Sequence, residues 1–420
     1  VGFSTILYNI AIAAYAAGVR LAASLGKEKA RLWLDGRKNW RQKLADAVEN
    51  DQPYIWMHAA SLGEFEQGRP LLEAFRKDYP RYKLILTFFS PSGYENKKNY
   101  QGADTICYLP LDTGKNAKDF LAIVRPELAI FVKYEFWYHY LTQLSYQNVP
   151  IVLVSGLFRE KQVFFKPYGG MFRRLLQGFD RIFVQNEDSL RLLTGIQLNN
   201  VTLAGDTRFD RVWAARLQAR DLPVIKRFVG EQKALIAGST WPKDEEIIAA
   251  WWQNAKQEGR VIILAPHEID GEHIAQIQQK FPGATRYSEY AKNPVTTSKV
   301  LIIDNIGMLS ALYRYAYVTY VGGGFGTSGL HNILEAATYS KPVLFGPNIE
   351  KFPEAIELVQ LRGAFIVRDV FSFTTTVAGL SEMPKYRETA TVAGKFVEER
   401  QGATWKILDY IHGKRFLTTL

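Results

Sequence analysis

A single cysteine, Cys107, in 420 residues excludes an internal disulfide framework. The six histidines, at 58, 139, 267, 273, 331 and 412, are scattered and make no cluster of zinc-ligand spacing. No Asp-x-Asp pair is present to hold a divalent cation on a phosphate, and no Lys-Ser/Thr pair completes a P-loop. No metal and no cofactor is therefore expected. Repeats of solenoid period and low-complexity segments are also absent, which excludes solenoid and disordered classes. Charge is missing from "VGFSTILYNIAIAAYAAGV", where the first charged residue is Arg20. That stretch has no basic run ahead of its apolar residues, as a secretory signal would. Basic residues follow it instead, at Lys27, Lys29, Arg31, Arg37, Lys38, Arg41 and Lys43. A length near that needed to cross a bilayer and a positive flank predict a membrane-associated segment over residues 1–25, with the rest of the chain on the cytoplasmic side. Ser4, Thr5 and Asn9 make the stretch only modestly apolar, as a buried or interfacial helix would be.

What is abundant is apolar and basic. At 47% hydrophobic residues, 420 residues suffice for two domains with their own cores, and a formal charge of +10 favours anionic partners. From residue 53 short β-rich runs alternate with helix-period segments: "YIWMHAA", "KLILTFF", "LAIFVKY", "VPIVLVSG" and "RIFVQN", then "KALIAGST", "VIILAPH", "KVLIID", "YVTYVGGG" and "KPVLFG". This is the βαβ pattern of parallel sheets. The expected fold is α/β, two doubly wound Rossmann-like domains facing a cleft, over residues 26–210 and 211–420, with the junction near residues 206–225. Ligands of such sheets bind outside the carboxyl ends of the strands.

Several strand ends carry candidate chemistry. "HAASLGEFE" places Glu64 three residues after Ser61, the spacing of a capping box and also that of a carboxylate at the positive end of a helix dipole. Spacing alone favours the cap. In "YVGGGFGTSGLHNILEAATYSKPVLFGP" the glycines at 322–324, 326 and 329 and a helix opening near Asn332 offer amides to a phosphate, and Glu335 offers a carboxylate to ribose hydroxyls. A glycine loop that only turns the chain is the simpler reading of this motif by itself. "AGSTWPKDEE" contributes Gly238, Ser239 and Thr240, which also serve as helix caps. "APHEIDGEH" contributes His267, and "DNIGML" opens another helix. Their shared position after strands of one sheet points to a nucleotide site. "FFKPYGGMFRRLL" interleaves aromatics with Lys166, Arg173 and Arg174, as a lipid-phosphate seat or an ordinary amphipathic surface helix would.

The elements "SLGE" (61–64), "SPSG" (90–93), "YLPLD" (108–112), "YEFW" (134–137), "GDTRFD" (205–210), "DNIGML" (304–309) and "GLHNILEAA" (329–337) occur in this order. Together they resemble the 3-deoxy-D-manno-octulosonic acid (Kdo) transferases over nearly the whole chain. The resemblance implies a GT-B glycosyltransferase at the cytoplasmic face of the bacterial inner membrane. It would move Kdo from CMP-Kdo to a lipid A precursor in lipopolysaccharide biosynthesis. By the same resemblance Glu64 matches the catalytic base and Glu135 an important acidic position. Pro266 and His267, then Ile306, Gly307 and Met308, then Asn332, Ile333, Leu334 and Glu335, match donor-contacting segments, with Gly238, Ser239 and Thr240 beside them. Ser61, Gly63, Ser90, Ser92 and Gly93 match acceptor-side or supporting positions. Three positions depart from the family pattern: no arginine precedes His267, Met308 stands where a carboxylate is usual, and Lys133 replaces an acid ahead of Glu135. The competing readings are another nucleotide-sugar transferase or epimerase of this architecture, and a non-catalytic protein binding anionic lipid or nucleic acid. No aromatic-basic nucleic-acid module supports the last.

Overall fold

The computed structural model describes residues 3–254, 259–326 and 329–418. The chain forms two compact units, residues 1–210 with 401–420, and residues 211–400. The first unit holds a seven-stranded sheet in the order β3-β2-β1-β4-β5-β6-β7. Its strands are β1 (Tyr54–Ala59), β2 (Lys83–Phe88), β3 (Thr105–Tyr108), β4 (Pro126–Val132), β5 (Ile151–Gly156), β6 (Arg181–Val184) and β7 (Val201–Leu203). All neighbours pair parallel. Residues of β1 alternate between two cores: Tyr54 and Trp56 pack in one, Ile55, Met57 and Ala59 in the other. The sheet is thus covered on both faces, as an all-parallel sheet requires.

The second unit repeats the plan in the order β10-β11-β9-β8-β12-β13-β14. Here the strands are β8 (Lys233–Thr240), β9 (Arg260–Pro266), β10 (Thr285–Arg286), β11 (Val300–Ile302), β12 (Val318–Val321), β13 (Val343–Phe345) and β14 (Ala364–Ile366). The chain crosses to the other side of its first strand between β1 and β4 in the first sheet and between β8 and β12 in the second, where β10 also lies outside β11, and ligands of open α/β sheets bind at such crossing points. The sequence pattern missed β3, β7, β10 and β14, of two to four residues each. They are outer strands of the two sheets, and short outer strands carry little apolar alternation.

Residues 401–420, expected with the second domain, pack in the first unit. The helix Ala403–Gly413 buries Ile407 and Ile411 in the core beneath β1, and the Asp210 carboxylate accepts the amides of Gly402 and Thr404 at 2.6 and 2.7 Å. This gives the last residue of "GDTRFD" a structural task.

The N-terminal helix, Phe3–Ser24, is long and apolar enough to cross a membrane. One face of it docks on the first unit. Thr5 Oγ1 donates to the Tyr138 hydroxyl at 3.1 Å, Tyr8 to the buried Asp112 carboxylate at 2.6 Å, and Asn9 Oδ1 meets His139 Nε2 at 2.7 Å. Further along, Tyr15 packs on Trp33 and Phe89. Thr5 and Asn9, which weaken the apolar character of the stretch, are docking residues. The opposite face exposes Ile6, Leu7, Ile10 and Leu21. Residues Val1 and Gly2 of the stretch lie outside the described residues.

Candidate active site

Glu64 lies in the first turn of the helix Leu62–Asp78, directly after β1, and Glu135 follows β4, so both stand at the crossing point of the first sheet. The expected capping box does not form: Ser61 is the N-cap residue, but its side chain caps no amide. Its hydroxyl instead donates to Glu64 Oε2 at 2.7 Å. Glu64 is therefore held, not holding. Burial pushes its carboxyl above the usual carboxylate range and the nearby Glu135 carboxylate adds to this, against the Ser61 hydrogen bond and the positive charge of Lys133. A carboxylate poised upward by burial and a like charge, with one hydroxyl to orient it, suits proton abstraction.

Glu135 is buried at 6% exposure, and two ring nitrogens approach one of its oxygens. Trp137 Nε1 donates to Oε2 at 2.6 Å, and His58 Nε2 lies 3.0 Å from the same atom. The other imidazole nitrogen of His58 lies 2.8 Å from Thr87 Oγ1, which in turn accepts from Trp56 Nε1 at 2.9 Å. His58, an ionisable residue in an otherwise apolar strand, went unassigned in the sequence reading, and that contrast was the available signal. Lys133, where the family pattern has an acid, takes a left-handed backbone conformation at φ 72°, and its charge favours the ionised form of Glu64.

A cavity of about 480 Å³ opens beside Glu135. Trp137, Phe164 and Phe172 line it, and Tyr8 and Ile12 of the N-terminal helix form one wall. The segment "FFKPYGGMFRRLL" thus supplies ring surface to this cavity. Arg173 of the same segment is spent on the chain itself, donating to the carbonyls of Phe164 and Lys166 at 3.0 and 2.8 Å. Arg174 lines a neighbouring cavity of about 430 Å³ with Ser4, Thr5 and Ser145.

The other acceptor-side residues are scaffolding around the same strand ends. Ser90 caps the helix Pro91–Lys97 by accepting the Ser92 amide at 3.2 Å, and its own amide donates to Ala60 O at 2.7 Å. Gly93 is glycine for packing, since a Cβ there would lie 2.2 Å from the Phe88 ring. Gly63 is exposed with open space around it.

In the second unit Gly238, Ser239 and Thr240 end β8, Pro266 and His267 end β9, and the glycine turn follows β12, all on the carboxyl side of one sheet. Rings gather there. Trp241 stacks on His267 with centroids 4.7 Å apart, and His267 meets His331 at 4.6 Å. Trp241 Nε1 donates to His331 Nε2 at 3.3 Å. Burial and the neighbouring His267 push the His331 imidazole down to about 4, so it is neutral at physiological pH. His267 is exposed at the edge of this stack.

Several donor-side expectations change in detail. Two of the glycine amides are already used: Gly322 N donates to Gly238 O at 2.9 Å and Gly323 N to Asp244 Oδ2 at 3.1 Å. The turn needs glycine for close backbone approach, since a Cβ on Gly322 would stand 2.2 Å from Ser239 O. Substituting Gly322→Ala is expected to lower the melting temperature by several degrees, read by calorimetry, because backbone cannot yield as a flexible side chain does. Residues 327 and 328 of the turn lie outside the described residues. The helix expected from Asn332 is a single turn, Leu334–Ala337, too short to carry a useful dipole. Ile333 and Leu334 are core residues at 1% and 0% exposure, and Thr240 turns inward to Glu245 at 3.1 Å. Asn332 caps the turn by accepting the Leu334 amide. Glu335 lines a cavity of about 50 Å³ with Arg211, Arg216 and Ser310. Ile306 is 87% exposed, and Gly307 takes φ 98° in the loop that ends at Met308. The helix expected from "DNIGML" is also a single turn, Leu309–Leu312.

Glu268, Asp270 and His273 bring ligand-type atoms within 4.8 Å of one another. Two of these groups have other tasks: Asp270 caps a helix through the His273 amide, and His273 Nε2 meets the buried Glu245 at 2.8 Å.

Residues 38–211 match the family model described as 3-Deoxy-D-manno-octulosonic-acid transferase (kdotransferase). This stretch is similar to the Kdo transferases. The likeness extends over most of the chain. A 3-deoxy-D-manno-octulosonic acid transferase of Rickettsia bellii is 26% identical over 92% of this chain and 91% of its own length. A bifunctional glycosyltransferase/methyltransferase of Fusobacterium nucleatum is 26% identical over 84% of this chain, which spans 56% of that protein. Among solved structures, UDP-GlcNAc 2-epimerase from Neisseria meningitidis, bound to UDP-GlcNAc, shares the fold with a TM-score of 0.61, at 16% identity over 86% of this chain and all of that one. The fold is thus shared with a nucleotide-sugar epimerase, and the likeness to Kdo transferases comes from the family model over residues 38–211 and from relatives at about 26% identity.

Proposed function

We propose that the chain transfers Kdo from CMP-Kdo to the glucosamine 6-hydroxyl of a lipid A precursor, in one inverting displacement, at a membrane surface. The observation that carries this reading is the juxtaposition in the first unit. A half-buried, upward-shifted carboxylate stands near Glu135, and Glu135 lines a cavity walled by the apolar N-terminal helix. An acceptor with a sugar hydroxyl and acyl chains needs both a base and an apolar wall.

Glu64 takes the proton from the acceptor hydroxyl, the oxygen attacks the anomeric carbon, and CMP leaves with the bonding pair. The donor is already activated by its phosphodiester, so the protein supplies position, a base and stabilisation of the departing phosphate. The Trp241, His267 and His331 rings at the strand ends of the second unit offer a stacking surface for the base of CMP.

The N-terminal helix lies along the bilayer surface in this reading. A helix packed on the domain from Thr5 to Tyr15 has lipid available only to its other face, where Ile6, Leu7, Ile10 and Leu21 are exposed. The net charge of +10 favours the anionic cytoplasmic leaflet.

CMP release tests the proposal. It is expected to require both CMP-Kdo and a tetraacylated lipid A precursor. Release at an equal rate without the lipid would contradict the acceptor assignment.

A further inference from the structure

The cavity of about 430 Å³ beside the start of the N-terminal helix has no part in the chemistry assigned above. Three helices build it: the N-terminal helix through Ser4 and Thr5, the helix Tyr138–Tyr146, and the helix Gly170–Gln177 through Met171, Arg174 and Leu175. The two adjacent arginines of the last helix differ. Arg173 is spent on the carbonyls of Phe164 and Lys166, whereas Arg174 is exposed and makes no hydrogen bond or ion pair among the described residues. The hydroxyls around it divide the same way. Ser145 gives its proton to Leu141 O, and Thr5 gives its own to the Tyr138 hydroxyl. Ser4 and Thr142 have no hydrogen-bond partner among the described residues, and the Tyr138 phenol, which accepts from Thr5, has no described acceptor for its own proton.

A guanidinium and three hydroxyl donors from separate helices thus line one space without acceptors of their own. Such a set suits an anion whose oxygens point in several directions. A phosphate ester is one, whereas a carboxylate presents two oxygens in a single plane. Buried Leu141, Met171 and Leu175 supply the apolar part of the lining, which suits the hydrocarbon attached to an ester better than a free ion. We propose that this cavity is a lipid-phosphate subsite, in which Arg174 takes the phosphate, Ser4, Thr142 and Tyr138 donate to it, and the apolar lining receives the carbon chain next to it. Ser4 belongs to the helix whose other face exposes Ile6, Leu7 and Ile10, so the subsite lies at the level of the bilayer surface. That placement rests on the membrane reading above, and the binding chemistry does not. The phosphate arrives on the acceptor or on a phospholipid of the bilayer, and both present the same ester to Arg174.

Two arms on the full chain test the subsite and separate the two sources. One measures the affinity gained when phosphatidic acid is added to phosphatidylcholine vesicles. The other measures KM for a tetraacylated lipid A precursor in neutral detergent micelles free of phospholipid. Arg174→Gln is expected to lose about tenfold in affinity or KM, with kcat unchanged, as befits one charge-assisted bond in a site open to water. Loss in the vesicle arm alone assigns the phosphate to a bilayer headgroup, loss in the micelle arm alone to the acceptor, and loss in both to a site that either fills. Arg174→Lys is expected to recover only part of the loss, since an ammonium lacks the planar fork. Ser4→Ala combined with Thr142→Val is expected to lose about threefold at unchanged net charge. Arg174 bonds nothing in the chain, so its replacement should leave the melting temperature within about 2 degrees of native. Lys77→Gln, which removes an exposed cation of the helix Leu62–Asp78, is the charge control and is expected to behave as native. Native behaviour of Arg174→Gln in both arms, or an equal loss in Lys77→Gln, would overturn the proposal. If the native chain transfers nothing to the precursor, the transfer reading falls, and the vesicle arm still decides the subsite.

Discussion

Glu64→Gln is expected to lose about 10²–10⁴-fold in turnover, the contribution of a positioned general base, while melting at a higher temperature than the native chain at neutral pH. The second half of this result separates chemistry from capping. A side chain that only capped the helix would cost about 1 kcal/mol of stability when altered and leave the rate untouched. The geometry argues otherwise, since Ser61 bonds to the Glu64 carboxylate and not to the helix amides. The sign of the stability change follows from the direction of the shift. The folded carboxyl holds its proton more tightly than the unfolded one, mainly through burial and then through Glu135. Its stabilising contribution is therefore fully present below the unfolded carboxylate range and is lost as pH rises through the raised folded value. Above that window the ionised side chain opposes folding, and glutamine carries no such burden. The gain in melting temperature should shrink as pH falls through the carboxylate range. A variant that melts lower at all pH values and keeps its rate would restore the capping interpretation.

Asp112→Ala is expected to give the largest loss of stability, about 2–4 kcal/mol, and to loosen the N-terminal helix. Asp112 is fully buried, and its carboxylate accepts the amides of His139 and Tyr140 at 3.0 and 3.1 Å and the Tyr8 hydroxyl at 2.6 Å. One side chain thus closes the open end of the helix Tyr138–Tyr146 and fastens the N-terminal helix to it. Alanine leaves three donors in a dry site with nothing to accept them. Asparagine is expected to recover only part of the loss, because its NH₂ group would face donors. Since Tyr8 is a wall of the cavity beside Glu135, the KM for the lipid should rise more than kcat falls. Calorimetry and steady-state kinetics at varied lipid concentration check both parts, and a variant that melts within a degree of native would contradict the assigned role.

The doubly wound plan was legible because both sheets are built on long buried runs such as "YIWMHA" and "KALIAGST", whose composition admits little else. The place of Glu64 in the first helical turn after the first of these runs was legible too. What escaped was chemistry made by chain segments far apart in sequence. His58, Glu135 and Trp137 meet only when β1 and β4 pair, and spacing carries no trace of that pairing. Asp112 read as part of a motif, yet its partners come from the N-terminal helix and from residues 139 and 140. The glycine turn misled in the other direction. Its glycines suggested free amides, but the close approach of Gly322 to Ser239 and of Gly324 to Gly346 is what demands them. Helix lengths also misread: the apolar residues after Asn332 are buried, yet the helix there is the single turn Leu334–Ala337, which packs against the helix Met383–Glu398.

The measurement that bears most directly on the central claim is the intact mass of a tetraacylated lipid A precursor after incubation with the native chain and CMP-Kdo. The lipid is expected to gain the mass of one or more Kdo residues, with CMP appearing in equal amount. An unchanged lipid, with CMP-Kdo left intact or merely hydrolysed, would contradict it.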